Sequence, residues 1–503
     1  MLKKLCQCVG IASLILVVNY GELLGGGSDV RMHVPFALTA ICFAQIADIL
    51  LLGLFLAALI LPFQHTRNYP WVRLLVATLI PPYLLVRIRY LIPGGLEDGT
   101  VLFLSLAWIA ALLLLRLRFP RTYKHTLQTA SAICVFFGLF AITAILQLLW
   151  VATWKPGPQQ HTAAWTSTPQ PPRQHPLLVW IIFDELSHDQ VYEHRARDLN
   201  LPAFDELRSQ STLFTDVQPI GYYTRKIVPS LFTGKVVEDF RYDFHNRFRV
   251  HYAGVHGKLP LNGSGTIFGD AQHAGWRTAA VGWYNPYCTT YGDALDDCYW
   301  MNRDMLDGPM TQSASVWRNI LTPMQHLVRQ VKAPQRADRD LCTFDVRQRY
   351  KTHIDLEAHA LQTLRTDQAD FVFLHLAIPH SPNIWSRIDD NYTQFCDSSY
   401  LDNLALADRE MHTILTILKA SPRWSQTTLI VEGDHSWRVD TWDWHPDWTE
   451  EDDAASHDIF DTRPALVIHQ PGQTQPQTVS TPWQQLNIHT LLEQAIHGQP
   501  MKF

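Results

Sequence analysis

The chain has 503 residues with 41 basic and 47 acidic side chains, a formal charge of −6 that excludes nucleic-acid binding as its main task. Hydrophobic residues make up 47% and aromatic residues 11%, too much apolar surface for a disordered chain. Residues 1–154 hold only 11 basic and 5 acidic side chains and the rest 30 and 42, which excludes a single water-soluble domain and predicts a basic membrane block joined to an acidic globular one.

Five apolar stretches approach or exceed the roughly 20 residues that cross a bilayer, at about 5–20, 34–63, 71–92, 101–115 and 127–152. The first follows Lys3 and Lys4 like a signal peptide, but no small-residue cleavage site comes after it, so it is read as a retained helix. Lys3, Lys4, Arg67, Arg116, Arg118, Arg121 and Lys124 fall on one side of the predicted spans, and Glu97 and Asp98 on the other. The amino terminus is therefore expected in the cytoplasm. Five crossings make a multi-pass protein of a bacterial inner (cytoplasmic) membrane, with everything after Trp154 periplasmic or extracellular. Gln45 and Asp48 in the second stretch are costly in hydrocarbon. A role in substrate passage and a place near the outer headgroups are both open for Asp48, as are lipid-phosphate contact and simple anchoring for Arg87 and Arg89.

Residues 155–176, KPGPQQHTAAWTSTPQPPRQHP, have no apolar period and read as a Pro/Gln-rich tether. From Leu177 to the end (177–503), the runs LLVWIIF, TAAVGW, FVFLHLAI, TLIVEG and ALVIH are short, partly β-branched and separated by helical segments. They predict an α/β outer domain, a mostly parallel sheet sandwiched by helices. Four cysteines lie in the membrane block and four outside it, an even exported set that permits disulfides. Cys288 and Cys298 enclose a short polar loop and are expected to bridge; a Cys342 to Cys396 bridge is left open.

Reactive groups collect at the carboxyl ends of parallel strands. The first predicted strand ends in Asp184 and Glu185, and a later one in Asp434 and His435, a carboxylate and imidazole set suited to zinc, with manganese as the second choice. Taken singly, such acids often do no more than cap the next helix. In GYYTRKIVPSLFTGK, residues 221–235, Pro229 is read as opening a helix that Gly234 closes, with Thr224 just upstream. A hydroxyl there is either a cap or, beside a divalent cation, a nucleophile for phosphorus.

The combination resembles the alkaline phosphatase superfamily in its sulfatase-like branch, over about residues 177–495. FDEL supplies Asp184 and Glu185, PSLFTG sets Thr224 ten residues before Gly234, and EGDHS supplies Asp434 and His435. The resemblance implies that Asp184, Asp434, His435 and, less firmly, Glu185 hold a divalent metal that Thr224 joins as nucleophile. AIPHSP resembles the family's Pro-His-x-Pro strand end, which implies that His380 contacts substrate or protonates the leaving group; a core or capping histidine is the alternative. His457 resembles a further active-site histidine, whereas His375 reads as structural.

Departures narrow the activity. Sulfatases oxidise a Cys or Ser to formylglycine; Thr224 yields no such aldehyde, and position 228 is Val where the family has Arg. Arg225 and Lys226 either balance substrate charge or form a solvated basic pair. A threonine nucleophile behind five spans is similar to phosphoethanolamine transferases and the phosphoglycerol transferases of lipoteichoic acid synthesis. That likeness implies a membrane phospholipid donor, an envelope glycan or lipid acceptor and a phosphothreonine intermediate. An exported phosphodiesterase or phosphatase, or a silent envelope-assembly module, are the alternatives. WRVDTWDWHPDWTEEDD, residues 437–453, reads either as an aromatic lid over sugars or the membrane interface, or as a packed insertion.

Overall fold

The computed structural model describes residues 2–24, 31–32, 34, 36–88, 96, 98–162, 175–302, 315–321, 334–456 and 461–503. His457 and the side chains of Arg87, Arg89, Glu97 and Asp98 lie outside the described residues. The chain divides into two compact units, mainly residues 1–155 and 156–503.

In the first unit the apolar stretches form helices α1 (Leu2–Leu24), α2 (Thr39–Ile60), α3 (Tyr69–Ile88), α4 (Asp98–Arg118) and α5 (Pro120–Val151). Among the described residues four runs are long and apolar enough to cross a membrane, Thr39–Phe63, Tyr69–Val86, Gly99–Arg118 and Pro120–Val151. This is one fewer than the sequence predicts, α1 being the helix outside that count. Yet α1 is no appendage. An added Cβ at Gly10 would lie 2.1 Å from Cys134 O, and one at Gly138 2.2 Å from Cys6 O, so paired glycines bring the α1 and α5 backbones together. Lys4 Nζ meets Gln64 Oε1 at 3.0 Å and Thr39 Oγ1 donates to Ala152 O at 2.9 Å, so α2 runs against both α1 and α5. Gln45 and Asp48 are buried within α2 at 1% and 0% exposure, whereas Leu54, Phe55, Leu102 and Phe103 face outward, as a bilayer requires.

The second unit is built on a sheet with nine strands among the described residues: β1 (Gln160–Thr162), β2 (Leu178–Phe183), β3 (Thr212–Phe214), β4 (Thr278–Trp283), β5 (Asp297–Met301), β6 (Phe371–Leu376), β7 (Thr428–Glu432), β8 (Leu466–His469) and β9 (Gln477–Val479). Their order is β1-β5-β4-β6-β2-β7-β8-β3-β9. The core β5-β4-β6-β2-β7 is parallel, as is β9 on β3. Two departures from the sequence reading appear. ALVIH runs antiparallel to β7, and part of the expected tether forms β1, antiparallel on the edge of β5, because main-chain pairing needs no apolar period. Cys288–Cys298 and Cys342–Cys396 are both bridged, with Cα atoms 5.5 and 5.8 Å apart.

Alternation along the central strands sends Val179, Ile181, Phe183, Leu374 and Val431 into the core on one face, under helices α6 (Pro202–Ser209), α8 (Pro334–Thr366) and α9 (Tyr400–Ala420). The other face presents Trp180 and Phe373 to Phe232 of α7 (Thr224–Thr233), at ring separations of 5.6 and 5.0 Å. The Phe232 contact lays α7 across the sheet, with its first residue at the carboxyl edge of β2 and β7.

Candidate active site

Because β6, β2 and β7 are parallel neighbours, their carboxyl ends share one edge, with His375 and Glu432 both registered on Ile182. The turn after β2 puts Glu185 in a left-handed backbone (φ 67°) that costs a non-glycine residue roughly 1–2 kcal/mol. It is held by Tyr400 OH donating to Glu185 O (2.7 Å) and by Glu185 N–H donating to Asp434 Oδ1 (3.2 Å). After β7 the chain passes so close that a Cβ on Gly433 would lie 2.4 Å from Leu186 O. Gln485 Nε2 donates to the carbonyls of Gly433 (3.1 Å) and Asp434 (2.9 Å), fixing that turn.

Helix α7 starts at Thr224, five residues earlier than the sequence reading, with Pro229 inside it and Gly234 closing it at φ 64°. Pro229 offers no N–H to the Arg225 carbonyl. The first turn is secured instead by the N–H groups of Lys226 and Ile227 on Tyr223 O, at 2.8 and 3.0 Å. Thr224 is 5% exposed, and its Oγ1 lies 3.4 Å from Asp184 Oδ2 and 3.3 Å from His435 Nε2.

These groups form one buried cluster. Asp184, His375 and Asp434 each offer a ligand atom within 4.8 Å of the others. His375 Nε2 is 3.1 Å from Asp184 Oδ2, with the ring held from behind by Tyr287 OH, 2.6 Å from Nδ1. His435 Nδ1 is 2.9 Å from Ser436 O and therefore carries the ring proton, which leaves Nε2 an acceptor. That bare nitrogen faces Asp434 Oδ2 at 3.2 Å and Asp184 Oδ1 at 3.7 Å. Acceptors do not face one another without a proton or cation between them, and Asp184 Oδ1 and Asp434 Oδ2 have no hydrogen-bond partner among the described residues. The donor set thus fits a divalent cation. Desolvation, then mutual repulsion, pushes the Asp184 carboxyl well above its ordinary range, and desolvation raises that of Asp434. Burial likewise holds His435 and His375 down to about 4.

The remaining expected residues are placed differently. Glu185 turns its carboxylate away from the cluster and is paired there: Arg438 Nε donates to Oε1 (2.6 Å), and Trp442 Nε1 to both oxygens (2.9 and 3.0 Å). His380 Nδ1 meets Ser381 O at 2.5 Å, so its Nε2 accepts from Arg438 Nη2 at 2.9 Å. In this arrangement His380 holds Arg438 and has no proton on its inward nitrogen. Arg225 lies over the rings of Tyr223 and Phe240, and Lys226 is half-buried in the first turn of α7. One residue escaped the sequence reading: Arg438, signalled by its place four residues after Asp434; His375, read there as structural, joins the cluster from the otherwise apolar strand FVFLHL. Of the aromatic segment, Trp437 stacks on Tyr400 (4.4 Å) and Trp448 (5.3 Å) as a packed insertion; Trp444 is 72% exposed.

A family model described as Sulfatase matches residues 176–497. Solved structures resemble the chain at low identity. A lipoteichoic acid synthase, LtaP, from Listeria monocytogenes is 12% identical over 65% of this chain and 72% of its own, with a TM-score of 0.39. A phosphonate monoester hydrolase of Agrobacterium radiobacter is 14% identical over 64% and 74%, at 0.38. A protein in the alkaline phosphatase superfamily from Vibrio parahaemolyticus is 17% identical over 69% and 70%, also at 0.38. No curated protein matches.

Proposed function

The chain belongs to the sulfatase family, in the alkaline phosphatase superfamily, and on that premise we propose that it is a phosphotransferase. It moves a phospholipid headgroup phosphoryl unit, of phosphoethanolamine or phosphoglycerol type, to an envelope glycan or lipid through a phosphothreonine. The observation that carries this reading is Thr224 Oγ1, buried at the head of α7 and 3.3 to 3.4 Å from two members of an acidic cluster. A threonine there attacks as an alcohol; it is no precursor of the sulfatase aldehyde.

Asp184, Asp434, His375 and His435 would hold a divalent cation, zinc favoured and manganese the alternative by donor type. Bound there, the cation supplies positive charge that lowers the pKa of the Thr224 hydroxyl and offsets charge on the phosphoryl oxygens. Thr224 Oγ1 forms the new bond to phosphorus, the diacylglycerol oxygen leaves with a proton, and an acceptor hydroxyl then displaces Thr224. Asp184 Oδ2 accepts the hydroxyl proton as the attack begins, while His435 Nε2 stays with the cation. Arg438, aimed by Glu185 and His380, supplies the fixed cation for the headgroup phosphate that the sequence reading assigns to Arg225 and Lys226.

The membrane orientation belongs to the same proposal. Lys4, Arg73 and Arg116 gather at the end of the bundle opposite to that from which α5 leads into the outer domain. With α1 counted as a span, that basic end is cytoplasmic and the catalytic domain is periplasmic. The test is to incubate the purified full chain with vesicles of phosphatidylethanolamine or phosphatidylglycerol and measure diacylglycerol. Metal-dependent release that Thr224→Ala abolishes is expected. Release of sulfate from sulfate esters, with no diacylglycerol from either lipid, would overturn the proposal.

A further inference from the structure

Between α1, α3, α4 and α5 the membrane unit has a half-open cavity of about 230 Å³, against roughly 30 Å³ for one water. Ile11, Val76, Ile80 and Leu112 make its walls apolar, so water is a poor filling, and an empty space of this size forfeits packing along its lining. One end is cationic. Lys4 lies 4.6 Å and Arg73 5.9 Å from the centroid of the same ring, Tyr69. Both donate only to neutral acceptors in their described hydrogen bonds, Lys4 to Gln64 Oε1 (3.0 Å) and Arg73 to Leu127 O (3.2 Å). No Asp or Glu is among the described residues that line the cavity.

An apolar cleft in a bilayer-facing bundle, closed at one end by two cations without an acidic partner among the described residues, matches an amphiphile with an acyl tail and an anionic head. We propose that it binds an anionic phospholipid, with the tail between α1, α3, α4 and α5 and the phosphate between Lys4 and Arg73. Every residue that lines the cavity belongs to the membrane unit, and the lipid is proposed as a resident ligand of that unit.

The experiment is native mass spectrometry of the delipidated full chain in detergent, titrated with dioleoyl phosphatidylglycerol or dioleoyl phosphatidylcholine. One phosphatidylglycerol per chain should bind about tenfold more tightly than phosphatidylcholine. Lys4→Gln/Arg73→Gln should erase that preference while leaving helical circular dichroism unchanged, and Ala77→Phe, which fills the cavity, should lose both lipids. Equal binding of the two lipids by the unsubstituted chain, or a preference that survives Lys4→Gln/Arg73→Gln, would overturn the site. If Ala77→Phe does not fold, the charge variant alone decides.

Discussion

Asp184 and Glu185 are adjacent acids at the end of one strand, yet their surroundings are opposite. Glu185 is neutralised by Arg438 and capped by the Trp442 indole. Asp184, fully buried, faces a second carboxylate and two histidine nitrogens, with one oxygen lacking any described hydrogen bond. The first is arranged for stability and the second against it. A cluster of acceptors persists in a folded core only where a cation or proton completes it, so the unpaired neighbour marks the chemistry and the paired one marks its support.

The difference can be broken from either side. The largest effect is expected at the hydroxyl: Thr224→Ala should lower turnover by at least ~10³-fold with metal content intact, read as initial rates beside elemental analysis. On the support side, Arg438→Met leaves the buried Glu185 without its counter-charge and should cost ~3–5 kcal/mol in denaturant unfolding. Adding Glu185→Gln to that variant should recover part of the loss. His375→Ala should weaken zinc binding about 100-fold by competition with a chelator, while His380→Ala leaves it nearly unchanged. An equal effect of the two would place His375 outside the metal set.

The smallest effect is a slope. Asp184 and Asp434 hold their protons more tightly folded than unfolded, so their contribution to stability is present at low pH and is lost as pH rises. His435 and His375, held down to about 4 from 6.5, contribute above pH 6.5 and lose that contribution as pH falls toward 4. Above pH 6.5 only the carboxylates tilt the curve. The metal-free protein should therefore lose stability as pH rises for as long as these carboxyls hold their protons, by up to ~1.4 kcal/mol per pH unit for each proton released. Saturating zinc should flatten the curve, as followed by tryptophan fluorescence in urea.

The sequence made the strand ends and the Thr224 to Gly234 spacing legible because each is a local pattern with a fixed chemical meaning. Partner choice was not legible. Whether Glu185 turns to a metal or to Arg438 depends on a chain segment some 250 residues away, and its left-handed backbone leaves no mark in FDEL. His375 looked structural because strand alternation gives a face, not what lies upon it; only the Phe232 contact, which brings α7 over that face, makes it part of the site. Pro229 misplaced the start of α7 because the helix keeps its first turn without the missing donor. The Gly10 and Gly138 contact that binds α1 into the bundle is a packing fact that apolar length does not show.

The most direct test is peptide mass spectrometry of the full chain, quenched in acid during turnover with phosphatidylethanolamine. The account predicts a phosphoethanolamine adduct on Thr224 that forms before product and is absent from Thr224→Ala. Turnover with Thr224 unmodified throughout, or an adduct on another residue, would contradict it.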